Sequence, residues 1–170
     1  MTRIQSQPLP GHALHARYAT EDAYTDCYST VIGRKVTHAE FVEAFYTTWL
    51  FKLERWILGW SVKKPSTDAE ARQIARGEIE YFAAWTLEAR APDQLLMCDF
   101  LGATRSWFMV VAEGTSTRIY FGSVVTSRLN PRTRRRELGR NYRALLGFHK
   151  LYSRVLLHAA RSRLRMPLPG

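Results

Sequence analysis

The stretch Gln94-Leu95-Leu96-Met97-Cys98-Asp99-Phe100-Leu101, Gly102-Ala103-Thr104, Arg105-Ser106-Trp107-Phe108-Met109-Val110-Val111-Ala112 decides the fold. It reads as two strands, rich in apolar, aromatic and β-branched types, joined by a short turn. The same pattern extends on both sides. Upstream, Phe82 to Arg90 alternates, with Trp85 and Leu87 on one face and Thr86 and Glu88 on the other, before the turn Ala91-Pro92-Asp93. Downstream, Glu113-Gly114-Thr115 turns the chain and Arg118 to Thr126 returns. Successive tight connections predict an antiparallel meander, because parallel neighbours need long crossovers. Within the last of these strands Gly122 is isolated, which marks either a bulge or a close approach of the final helix.

The flanks complete the pattern. After Leu129-Asn130-Pro131, a helix is expected from about Arg134 to Leu164. Leu138, Tyr142, Leu145, His149, Tyr152, Leu156 and Ala159 recur there at steps of four and three. Before the meander, Ala23 to Ile32 reads as a first strand ending at Gly33. Thr37 and Glu40 form a capping box, and Phe41, Phe45 and Trp49 continue at helical spacing. Leu50, Leu53, Ile57 and Trp60 extend it, with a break expected at Thr47-Thr48. A third helix begins at Thr67, with Glu70 three residues on, and stops at Gly77. The expected class is α+β: an antiparallel sheet of five strands packed against a long C-terminal helix, with helices inserted after the first strand. Residues 21–165 form a single domain. Residues 1–20 read as a flexible N-terminal tail punctuated by Pro8, Pro10 and Gly11, and residues 166–170 as a C-terminal tail.

A chain of 170 residues with 46% hydrophobic and 12% aromatic content buries a substantial core, which excludes disorder. No apolar run reaches the ~18 residues of a membrane span, and no secretory signal is recognisable. Cys27 and Cys98 both sit in strands and read as buried free thiols, suiting a reducing cytoplasm. Without CxxC or a dense His/Cys cluster, neither a metal nor a cofactor is expected. Phosphate-cradling loops, a Rossmann glycine pattern and a nucleophile elbow are absent. The net charge of +10 is uneven. Arg132, Arg134, Arg135 and Arg136 crowd one short stretch and are the anion-binding candidates. A solvated loop is the plainer account of this tract. Nucleic acid or an anionic membrane is the alternative partner, without a recognisable module signature to favour it.

The order strand, helices, meander and long final helix resembles the helix-grip fold of the START and Bet v 1-like superfamily, over about Tyr24 to Leu164. The strings Phe41-Val42-Glu43-Ala44-Phe45-Tyr46 and Thr104-Arg105-Ser106-Trp107 are also similar to those of small bacterial proteins of unassigned activity. The resemblance implies a cleft beneath the last helix that binds a small apolar or aromatic molecule. It also implies an alternative, since a minority of helix-grip proteins are cyclases, dehydratases or hydrolases. The superfamily has no universal catalytic residue to carry over.

The candidate ligand-binding residues are Tyr142, His149 and Tyr152 on the helical stripe, with Trp85 and Trp107 from the sheet. His149 has the residue type of a general acid or base, though a histidine so placed is more often a core residue with one partner. Asp99 interrupts an apolar strand. It is expected to pair with Arg105 across the hairpin, away from the cleft that His149 lines; a dyad with His149 is the alternative. Glu78, Glu80 and Glu88 read as solvated. Trp49, Trp56 and Trp60 read as core or cleft wall. A third account is an interaction module holding an anionic partner through the arginine tract. Oligomeric state is open.

Overall fold

Seven antiparallel strands form the main sheet in the computed structural model, which describes residues 3–20, 23–61, 65–126, 128–129, 136–137 and 142–165. The elements in chain order begin with β1 (Gln5–Ser6), a 3-10 turn (Leu14–Tyr18) and β2 (Ala23–Ile32). Three helices follow: α1 (His38–Tyr46), α2 (Trp49–Ser61) and α3 (Asp68–Arg76). The meander is β3 (Tyr81–Phe82), β4 (Trp85–Ala91), β5 (Gln94–Asp99), β6 (Thr104–Glu113) and β7 (Ser116–Thr126). A small ribbon, β8 (Arg128–Leu129) with β9 (Arg136–Glu137), precedes α4 (Tyr142–Arg165). The sheet runs β1-β2-β7-β6-β5-β4-β3, so the first long strand closes against the last strand of the meander. Helix α4 packs on β2 and β7 and beside α1 and α2.

Local chemistry accounts for the boundaries. Thr37 and Thr67 each accept from the backbone amide three residues on, while Glu40 and Glu70 accept from the capping threonine's amide. Gly77 ends α3 at φ 79°, a left-handed conformation that favours glycine. The α1–α2 break falls at Thr47-Thr48. The Thr47 hydroxyl donates to the Glu43 carbonyl, and the Thr48 hydroxyl accepts from the Phe51 amide and so caps α2.

The α+β class, the meander and the helices after the first long strand are as expected, with corrections in detail. Two short edge strands, β1 and β3, bring the sheet to seven. The final helix begins at Tyr142 rather than near Arg134, because Arg136-Glu137 pairs with Arg128-Leu129. The segment expected to be a loose tail is packed from Ile4 to Tyr18, since the sheet is apolar on its second face as well and needs a cover. Arg132, Arg134 and Arg135 lie outside the described residues, as does the side chain of Arg136. The C-terminal residues 166–170 also lie outside them.

The core has two parts, one on each face. Phe41, Phe45, Tyr46, Phe51, Phe82, Phe108 and Phe121 interlock on the helical face, with Phe45 stacked on Phe121 at 4.7 Å between ring centroids. On the other face Cys27, Leu96, Trp107 and Met109 pack under Ala13 and its neighbours. Trp49 and Trp56, expected in the core or a cleft wall, are each 71% exposed, and neither lines the pocket between the sheet and α4. The break at Thr47-Thr48 resets the helical phase, and Phe51 and Arg55 take the inner side of α2 instead. The side chain of Trp60 lies outside the described residues.

Candidate functional site

Alternation along the strands assigns each polar group to a face. On the helical face the register aligns Asp26 with Ser123, and Ser123 with Ser106. Ser106 faces Met97, and Trp85 faces Asp99. These positions border a partly open pocket of about 300 Å³. Its apolar wall comes from Phe45, Phe51, Trp85, Phe100, Phe121 and Leu156. Its polar wall comes from Asp99, Thr104, Ser106 and Ser123 of the sheet, facing Tyr152 and Ser153 of α4.

Two carboxylates anchor the polar side. Asp26, behind Ser123, is nearly buried. Its Oδ1 accepts from the Ser123 amide at 2.8 Å and hydroxyl at 2.6 Å, and its Oδ2 accepts from the Tyr24 hydroxyl at 3.1 Å. Burial, together with the Asp26 charge, pushes the Tyr24 phenol well above its ordinary range, so Tyr24 remains a proton donor here. At Asp99, Oδ1 accepts from the amides of Ala103 and Thr104 at 2.7 and 3.1 Å and closes the β5–β6 turn.

The expected Asp99–Arg105 pair does not form. Arg105 lies opposite Cys98 on the other face of the sheet, so the period of two separates the two side chains. Arg105 instead meets Glu88 at 3.0 Å. Glu88 is the extra residue of a bulge between Leu87 and Ala89, and also accepts from Arg17 and Tyr18. It therefore ties the N-terminal segment to the sheet and is not the solvated group expected. Burial alone would raise the Glu88 pKa, but the bonds from Tyr18, Arg105 and Arg17 outweigh it and hold the carboxyl below its usual range.

Of the sequence candidates, Trp85 and Tyr152 line the pocket. Trp107 does not, because its phase points to the second face. There it is fully buried, rests against His15 at 4.2 Å between ring centroids, and donates from Nε1 to Gln94 at 2.8 Å. The side chains of Tyr142 and His149 lie outside the described residues, so the His149–Asp99 pairing does too. Asp99 itself lines the pocket, contrary to the expectation that it points away. The residues missed were Thr104, Ser106, Ser123 and Ser153. Their signal was present in the strands: Ser106 and Ser123 interrupt the apolar phase of β6 and β7 at positions that the register brings side by side.

Gly122 does mark a close approach, though of the N-terminal segment rather than the final helix. A Cβ there would lie 2.6 Å from both the Asp26 carbonyl and His15 Nε2. Among the described residues no group of three or more His, Cys, Asp or Glu is placed to hold a metal ion, and no helix is long and apolar enough to cross a membrane. Comparison with family models, with curated proteins and with solved structures found no match.

Proposed function

We propose that the chain binds a small aromatic or apolar molecule carrying one polar end, seated between the sheet and α4. The observation that carries this is the two-sided lining of the pocket. Aromatic side chains make one wall, while a carboxylate and hydroxyls converge on the other, as in small-molecule sites generally. A volume of about 300 Å³ is at the lower end for such sites and suits one or two fused rings better than a long acyl chain. A ligand hydroxyl would complement the Asp99 carboxylate in the pocket wall.

The test uses 2-naphthol as probe, followed by its fluorescence, alongside a native mass spectrum of freshly purified protein. Saturable 1:1 binding that is lost in Ser106→Phe, which fills the pocket, supports the proposal. Binding unchanged by that substitution overturns it. The alternative, a cyclase- or dehydratase-type reaction in the same space, draws on the Asp99 carboxylate in the pocket wall. Asp99→Asn keeps the turn-closing acceptor and separates the two readings. A binding protein still holds its ligand, whereas an enzyme loses conversion of the retained molecule.

A further inference from the structure

The pocket is graded along its length, and the grading follows from strand alternation. Thr104, Ser106 and Phe108 of β6 share the helical face, and the register sets Ser106 against Ser123 and Phe108 against Phe121 of β7. Phe121, stacked on Phe45, therefore marks one end, the serine pair comes next, and Thr104 stands at the β5–β6 turn. At ~3.3 Å per residue, Thr104 and Phe108 are roughly 13 Å apart along the strand.

Asp99 belongs to the turn end. Its Oδ1 closes the turn on the amides of Ala103 and Thr104, and Oδ2 takes no part in that closure. Two rings of the pocket wall stand beside it: Trp85 is its register partner in β4, and Phe100 follows it in the chain. Phe100 is 50% exposed, so the pocket opens to water at this end. A carboxylate beside aromatic rings suits a cation. Coulomb attraction strengthens as water is displaced, and an ammonium also gains from the negative faces of the rings. A place beside the opening keeps the ammonium partly hydrated, which limits the cost of desolvating it.

Granted that the pocket binds a small molecule, on which this assignment rests, we propose that its ligand is an arylalkylamine. The aromatic group lies at the Phe45–Phe121 end, a short arm passes Ser106 and Ser123, and a protonated primary amine meets Asp99. Such amines are protonated at neutral pH, as the lysine side chain is. The chain's own net charge of +10 repels a cation at long range. A preference for the amine therefore reports the local carboxylate and not the general field.

Three ligands with the same ring and two-carbon arm provide the test: tryptamine, tryptophol and indole-3-propionate, which end in an ammonium, a hydroxyl and a carboxylate. Each is titrated calorimetrically into the full chain at neutral pH and about 150 mM salt, where weak surface attraction is screened. The expected order has tryptamine tightest, by at least about tenfold over tryptophol, and indole-3-propionate weakest. In Asp99→Asn, which keeps an acceptor for the turn amides, the advantage of tryptamine should disappear while tryptophol binding changes little. Far-UV circular dichroism checks that the variant folds. The ranking itself is read on the parent protein and stands without the variant. Tryptophol binding as tightly as tryptamine, or indole-3-propionate binding tightest, overturns the amine assignment and leaves the pocket a small-molecule site. An advantage for tryptamine that persists in folded Asp99→Asn overturns the role of Asp99. Failure of all three ligands to bind overturns the small-molecule reading as well.

Discussion

Gly122 shows how one missing side chain organises both faces of the sheet. Its bare Cα lets the Asp26 carbonyl, His15 Nε2 and Trp107 crowd the same spot, at 2.6, 2.6 and 3.0 Å from where a Cβ would stand. At this contact His15 Nε2 donates to the Asp26 carbonyl, so the N-terminal segment is fastened to β2 where β2 meets β7. Gly122→Ala therefore forces backbone apart and is expected to cost about 3 kcal/mol, in the range of buried overpacking. Gly33→Ala, which meets nothing within 4 Å, should stay within about 0.5 kcal/mol of the parent. Urea denaturation of the two variants checks the contrast. The sequence marks Gly122 as special, since an isolated glycine in a strand weakens it without compensation. It does not say which element comes close, because His15 is more than a hundred positions away.

Among the elements, α2 and α3 are joined by a buried cation. Arg55 donates to Asp68 Oδ1 at 2.8 Å, to the Ser66 hydroxyl at 2.9 Å and to the Ser66 carbonyl at 2.7 Å, and it covers the Phe82 ring. Removing such a group leaves the half-buried carbonyl and hydroxyl of Ser66 without this donor, whereas an exposed ion pair contributes little. Arg55→Ala is expected to lower stability by about 2 kcal/mol, and Arg72→Ala, which breaks the exposed 4.0 Å contact with Glu43, by less than about 0.5 kcal/mol. Thermal unfolding of the pair tests the ranking. The helix starts were legible, because capping boxes satisfy local amides with local side chains. The inward face of α2 was not. The break at Thr47-Thr48 changes the phase, and a periodicity carried across it from Phe41 and Phe45 places Trp49 and Trp56 inside when both are exposed.

Across the whole molecule, neutral buried histidines couple folding to pH. Burial lowers His15 to about 4, only partly offset by its bond to the Asp26 carbonyl, and it lowers His38 to about 4 with Arg90 adding to the effect. The unfolded chain takes up these protons near pH 6.5, and the folded chain only near 4. Stability is thus fully present above pH 6.5 and is lost as the pH falls from there to about 4, by on the order of 3 kcal/mol per histidine. Glu40, Asp68 and Glu88 have depressed pKa values, so their contribution is present above the ordinary carboxylate range and is lost below it. Urea midpoints at pH 7, 5.5 and 4 should therefore fall steadily, and His15→Gln or His38→Gln should each flatten the slope between pH 6.5 and 4. A slope identical in both variants would remove the histidines from the account.

What the sequence by itself determined is the local grammar: the first long strand at Ala23–Ile32, the capped helices, the tight turns of the meander and a long last helix. Each follows from interactions between residues a few positions apart. Only the tertiary structure decided which face each side chain serves. In β5 and β6 the consecutive apolar runs Leu95-Leu96-Met97 and Trp107-Phe108-Met109 are buried on both sides, the sign of a sheet covered twice. Such runs have no alternation to reveal direction, and a one-residue difference in phase reverses every assignment. Hence Trp107 packs beneath the N-terminal segment, Asp99 faces the pocket and Arg105 turns away to Glu88. The pocket itself arises from strands and helices far apart in the chain, and its serines sit together only because antiparallel register aligns them.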